Sequence, residues 1–172
     1  MPDAQLTARV NGGWLASNDT GLIASQRFGV SNEPSRDIRL SYGTGSGQIN
    51  VIYRKAFTLA PTISLDIDFK GGTGELDVLN VALSLAKIRC IDLVITTAPA
   101  ADVAIRLGPQ GQTNGFIGPW KDIDSYVSVK RRLFLDDIAD GWVVDATHKI
   151  LRINNPSAGS VSGVLEIFGT SA

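Results

Sequence analysis

The chain has 172 residues, with 16 Lys and Arg against 17 Asp and Glu, for a net charge of −1. That balance argues against a protein whose main work is gripping nucleic acid or anionic lipid, because such affinity is built on a surplus of Lys and Arg. One cysteine, Cys90, and one histidine, His148, exclude an intrachain disulfide and leave a Cys/His zinc site two ligands short.

In chain order, residues 1–36 come first and differ from the rest. They hold the apolar anchors Trp14 and Phe28 but no periodicity, because Gly12-Gly13, Asn18-Asp19, Gly21, Gly29 and Asn32-Glu33-Pro34 keep interrupting. Such a segment reads as an irregular arm laid over its own domain or a neighbouring subunit, or as an irregular edge of the same domain. Met1-Pro2-Asp3-Ala4-Gln5 carries no secretory pattern, so the chain is expected to be made in the cytoplasm.

From residue 37 onward the signals are those of strands. Asp37 to Tyr42 and Gln48 to Phe57 flank Gly43-Thr44-Gly45-Ser46-Gly47, which reads as a flexible hairpin turn. Thr62 to Phe69 alternates apolar and polar residues without a break, the pattern of a strand with one buried and one wet face, which sets Asp66 and Asp68 toward water. Val81 to Ile88 reads as a strand with Val81, Leu83 and Leu85 on one face. Ile88 and Cys90 then lie on one phase while Ile91, Leu93 and Ile95 lie on the other, which predicts a bulge or a central strand covered on both sides. Cys90, at that switch, reads as a small buried hydrophobe.

Val103 to Leu107, Tyr126 to Val129, Leu133 to Leu135, Lys149 to Ile153 and Val161 to Phe168 complete the series. Gly71-Gly72-Thr73-Gly74, Asp140-Gly141 and Asn154 to Gly159 supply turns. About eight to ten short strands with almost no helical periodicity predict an all-β, antiparallel β-sandwich of jelly-roll type over residues 37–172.

The residues that carry chemistry elsewhere are poorly arranged for it here. Asp66, Asp68, Glu75 and Asp77 cluster near a turn, but Lys70 stands where a calcium loop needs its third ligand. The glycine run lacks the Lys-Ser/Thr of a phosphate loop. His148 has no G-x-S-x-G elbow to serve, and reads as a surface or hydrogen-bonded structural residue. No catalytic residue, cofactor or metal is predicted. Lys130-Arg131-Arg132 is followed closely by Asp136-Asp137, so opposite charges are expected to pair across a sheet or across a subunit contact. Trp120 and Trp142 sit beside turns, as carbohydrate platforms do, and as loop plugs and interface anchors also do.

The order of features resembles a group of small structural proteins encoded among the virion genes of tailed bacteriophages and prophages. The likeness covers about residues 38–172. It is carried by Tyr42 to Gln48, Tyr53 to Leu59, Leu65-Asp66-Ile67 with Gly71-Gly72-Thr73, Leu85 to Arg89, Leu107-Gly108 with Asn114-Gly115-Phe116, Asp140 to Val144, Leu151 to Asn154, and Ile167 to Ala172. Val78-Leu79-Asn80 departs from it, standing where relatives tend to have a glycine after the acidic turn. The resemblance implies a non-enzymatic β-sandwich subunit located in the virion, either a capsid decoration protein or a tail-associated one. Its expected partners are its own copies, with a trimer as one possibility, and a major capsid or tail protein, without direct contact to nucleic acid or membrane. Trp14, Phe28, Arg131, Arg132, Asp136 and Asp137 are the expected interface residues. The alternative is a host-adhesion, carbohydrate-binding module using Trp120 and Trp142.

Overall fold

The computed structural model describes residues 24–28, 36–97 and 104–171, with residues 24–28 and 36–39 given through their backbone alone. The strands are β1 (Ala24–Phe28), β2 (Arg36–Tyr42), β3 (Gln48–Ile49), β4 (Val51–Leu59), β5 (Ser64–Asp68), β6 (Lys87–Thr97), β7 (Ile105–Gly108), β8 (Val127–Val129), β9 (Arg132–Asp136), β10 (Trp142–Val143), β11 (Ile150–Asn154) and β12 (Val161–Thr170). The fold class is all-β, as the alternating patterns predict. Twelve strands are described, of which β3 and β10 have two residues each, and β1 lies inside the segment expected to form an arm.

Two sheets make the sandwich. One has the order β10-β6-β12-β4, with β9 also pairing β6; the other has the order β5-β11-β7-β8, and both are antiparallel throughout. From β4 on, the chain crosses between these sheets at every connection except β7–β8 and β9–β10. The core between them takes Tyr53 and Phe57 from β4, Ile91 and Leu93 from β6, and Leu165 and Ile167 from β12. Facing these are Ile67, Leu107, Leu151 and Ile153 of the second sheet. Phe69, Phe116 and Trp120 extend this core edge-to-face, with ring centroids 5.3 and 6.0 Å apart, the geometry that aromatic quadrupoles favour.

Strand β6 shows both features predicted from its phase switch. Its pairing with β12 slips between Phe168 and Gly169, leaving Arg89 as the extra residue beside Cys90, and again between Ser162 and Gly163. Cys90 is buried in a second, smaller core with Leu40, Ile49, Ile52 and Phe168 on the other face of the sheet. Both slips face a glycine of β12. A Cβ at Gly169 would meet the Lys87 carbonyl and, at 2.7 Å, the Leu85 side chain; one at Gly163 would meet the Phe57 ring at 2.6 Å. The bulges bring backbone and ring closer than any side chain on β12 would permit.

Three expectations need correction. The glycine run 43–47 does not reverse the chain, because β2 and β3 run parallel, Ser41 opposite Gln48 and Tyr42 opposite Ile49. Gly43 at φ 142° and Gly47 at φ 67° let the chain complete a loop instead, held by the Gln48 Oε1 that accepts from Gly45 N at 2.8 Å. Val81 to Ala86 is not a strand. Leu83 and Leu85 are buried as the alternation demands, but their amides donate singly to the Glu75 and Phe69 carbonyls, both at 2.9 Å, and Val81 is 58% exposed. Asp68 does not face water: it is 5% exposed, accepts from Lys70 N at 2.8 Å and pairs with Lys149 Nζ at 2.8 Å.

Two polar side chains tie the loops together. Asn155 is fully buried; its Nδ2 donates to the carbonyls of Leu59, Ala60 and Gly159 at 3.1, 3.0 and 2.8 Å, and its Oδ1 accepts from the Ser157 amide and hydroxyl at 3.0 and 2.6 Å. Arg89, 2% exposed, donates to the Ala139 and Gly45 carbonyls at 2.7 and 2.9 Å, pinning the glycine loop to the loop before β10.

Candidate functional site

The carboxylates that cluster in sequence are each engaged by different partners. Arg152 grips Asp66 through two nitrogens at 2.7 and 2.8 Å, and Asp68 is held as described. Glu75 accepts from Tyr53 Oη at 2.7 Å and Lys55 Nζ at 3.1 Å. Burial and that carboxylate push the Tyr53 phenol far above its usual range, so it stays protonated and donates. Asp77 Oδ1 accepts from the amides of Leu79 and Val81 at 2.8 and 2.9 Å. Among the described residues no three His, Cys, Asp or Glu side chains converge as metal ligands do.

His148 lies in a local turn. Its Nδ1 is 3.2 Å from Asp145 Oδ2 and 3.1 Å from Thr147 Oγ1, and the Thr147 and His148 donors hold the exposed Asp145 carboxyl well below the usual carboxylate range. Cys90 is buried.

The basic and acidic residues after β8 are used differently from one another. Arg132 on β9 reaches across to Asp92 on β6, forming two charge-assisted bonds at 2.9 and 2.6 Å to a carboxylate that is 3% exposed. Arg131 is exposed. Asp136 stands opposite Cys90 in the ladder, and Asp137 Oδ1 accepts from the Asp140 amide at 3.2 Å. Arg132 thus pairs across the sheet with Asp92, an acid outside the two charge runs. Trp14 and the side chain of Phe28 lie outside the described residues.

On the same face, Glu166 of β12 stands between Arg54 of β4, 3.0 Å away, and Asp92. The face therefore carries a row in the order Arg54, Glu166, Asp92, with Arg132 closing it diagonally. Burial raises the Glu166 pKa above its ordinary 4.5, the Asp92 charge adds to this, and the Arg54 and Arg132 guanidiniums oppose it. A folded-state pKa above the unfolded one means that this group's contribution to stability is full below the unfolded value. It is lost as pH rises through the raised value. Glu166→Gln is expected to remove that loss. Urea titrations of both proteins between pH 4 and 7 should show the wild type falling relative to the variant as pH rises; parallel curves would rule out the linkage.

Trp120 and Trp142 are both half-buried and lean on the main core. A Cβ on Gly108 would come within 3.2 Å of Trp120 Nε1, and one on Gly118 within 2.8 Å of Trp142 Cβ. Trp120 thus packs over the turn at Gly108 and edge-to-face on Phe116, while Trp142, in β10, backs Gly118.

Among the described residues, one group of exposed apolar side chains lies at and just before the start of the strand that alternation predicts. Leu76, Leu79 and Val81 are 49%, 48% and 58% exposed on one small hairpin, in which Leu76 pairs antiparallel with Ala82. Its conformation is fixed from within. Asp77 caps the turn, Asn80 N donates to the Asp77 carbonyl at 3.0 Å, and Asn80 takes φ 62°, the left-handed region that Asn tolerates better than most residues. The departure Val78-Leu79-Asn80 thus keeps the turn that a glycine would allow. Underneath, Val78 packs on the smaller core and its amide donates to the Ile52 carbonyl at 2.9 Å, while Glu75 anchors the base. The available signal was an Asp with Asn three residues on, bracketing apolar residues, which is a turn rather than a strand.

The exposed side chains of this tip are aliphatic, so what they offer a neighbouring surface is apolar area. Covering three half-exposed aliphatic side chains contributes on the order of 1 kcal/mol each, and a preformed turn loses little entropy on binding. No family model, curated protein or solved structure matches the chain.

Proposed function

We propose that this protein is a non-enzymatic structural subunit of a bacteriophage virion, a capsid decoration protein that stabilises its particle through protein–protein contacts. The observation that carries the reading is the rigid hairpin holding Leu76, Leu79 and Val81 in water. The largest apolar patch on a protein surface is often a contact site, and these three side chains are grouped on one self-capped turn. The resemblance of residues 38–172 to small virion proteins supplies the phage context. Many copies on one particle would add avidity to a modest single contact. The half-buried packing of Trp120 and Trp142 favours this reading over a tail-borne carbohydrate-binding module, which needs open ring faces.

The test is co-sedimentation with particles assembled from the major capsid protein encoded with it. Wild type should pellet with the particles, and the variant Leu76→Asp/Leu79→Asp/Val81→Asp should bind at least tenfold more weakly while keeping its unfolding midpoint. No association with capsids, or association that the triple variant leaves unchanged, overturns the proposal. Binding to tails alone would move the subunit to the tail.

A further inference from the structure

Strand β4 forms one edge of the five-stranded sheet, with β12 on its other side. Backbone N–H and C=O groups of alternate residues point to opposite sides of a strand. The Ile52 carbonyl points away from β12, because it accepts from Val78 N; the backbone groups of Arg54, Ala56 and Thr58 therefore point the same way. Among the described residues no hydrogen bond reaches those groups, and all three residues are exposed. Natural edges are commonly blunted by proline, a bulge, charged side chains such as Lys, or an inward-pointing charge; here the Arg54 charge is met by Glu166 at 3.0 Å. The stretch Arg54–Thr58 has no proline and no slip against β12, and the charge of Lys55 is met by Glu75 at 3.1 Å.

We propose that this edge pairs with the same edge of a second copy of the chain, antiparallel about a two-fold axis at Ala56. The two five-stranded sheets then become one continuous sheet. Charge disfavours the registers centred on Arg54 or Lys55. Centred on Ala56, Arg54 faces Thr58 of the second copy and Lys55 faces Phe57, with small alanines meeting on the axis. Centred one residue earlier, Lys55 would face its own copy, and like charges directly opposite are destabilising. The Ala56 register offers about six new backbone hydrogen bonds. The Ile52 end of one copy, where the apolar hairpin sits, comes against the Ala60 end of the other, where Pro61 and the 50%-exposed Ile63 turn the chain. The inference deepens the reading of the protein as an assembly subunit by naming a contact and its symmetry, that of an isologous pair.

The experiment is light scattering on the full chain over a hundredfold concentration range. Wild type should reach twice the chain mass of 18.3 kDa. Ala56→Lys, which sets two ammonium groups on the axis, and Ala56→Pro, which removes an outward N–H, should each weaken dimerisation at least tenfold. Ala56→Glu should do the same, and an equimolar mixture of Ala56→Lys and Ala56→Glu should restore the doubled mass, which a merely misfolded variant would not do. A wild type that stays at 18.3 kDa, a trimer, or a dimer indifferent to residue 56 overturns the edge pairing. The capsid sedimentation above is read separately, so either idea can fail while the other stands.

Discussion

Asn155→Asp is expected to cost about 3–5 kcal/mol, a large share of the 5–15 kcal/mol that holds a domain of this size together. The two side chains have the same shape, so packing is unchanged and only the hydrogen-bond polarity differs. Asn155 Nδ2 faces three carbonyl oxygens, those of Leu59, Ala60 and Gly159. A carboxylate there would set a buried negative charge against three acceptors. Its folded-state pKa would therefore rise, so the variant should regain stability as pH falls toward and below the ordinary carboxylate range, where a protonated oxygen can again donate. Thermal unfolding near neutral pH should show a midpoint lower by about 6–20 °C, with partial recovery in acid. A loss under 1 kcal/mol, or one independent of pH, would show that the three carbonyls find other donors. Asn155→Ala, which removes the bonds without adding charge, should fall between the two proteins.

Gly169→Ala should cost about 2–4 kcal/mol despite adding one methyl group. The added carbon would press on the Lys87 carbonyl and the Leu85 side chain. A backbone oxygen in a central ladder cannot step aside as a surface side chain can. The same substitution at Gly159, around which a Cβ meets nothing within 4 Å, should change stability by less than about 0.5 kcal/mol. Urea unfolding of the two variants makes the comparison; equal effects would mean that β6 and β12 slide to relieve the contact.

These two residues show where sequence reading stops. Alternation made β5 legible because one side of that strand meets the core, and the phase switch at Ile88 to Ile91 pointed to a bulge or to burial on both faces because the apolar side chains change face there; β6 has both. At Val81 to Ala86 the same alternation misled. Leu83 and Leu85 are buried, yet periodicity records which side chains go inward and says nothing about whether the backbone joins a ladder. Arg132 and Asp136 were close in sequence, but four residues along a strand span about 13 Å; Arg132 instead meets Asp92, which only the β6–β9 register brings beside it. Asn155 was visible as one member of a turn cluster. Its role depends on carbonyls some 95 residues earlier, a relation that no local pattern contains. The exposed hairpin was missed for the opposite reason, since aliphatic residues are read as core unless a cap such as Asp77 is weighed first.

The position of β12 has a consequence for how the chain is born. It is the strand between β4 and β6, the two longest strands before it, and β11 likewise stands between β5 and β7. A ribosome therefore releases β4, β5, β6 and β7 well before the strands that will lie between them. Until β11 and β12 emerge, the nascent chain holds unpaired strand edges and open apolar faces, the condition under which chains rely on holdase chaperones or aggregate. Closing such distant pairings is also entropically slow. Folding should accordingly be a late event in synthesis, and stalled or prematurely ended chains should be captured by chaperones or degraded rather than accumulate as partly folded domains.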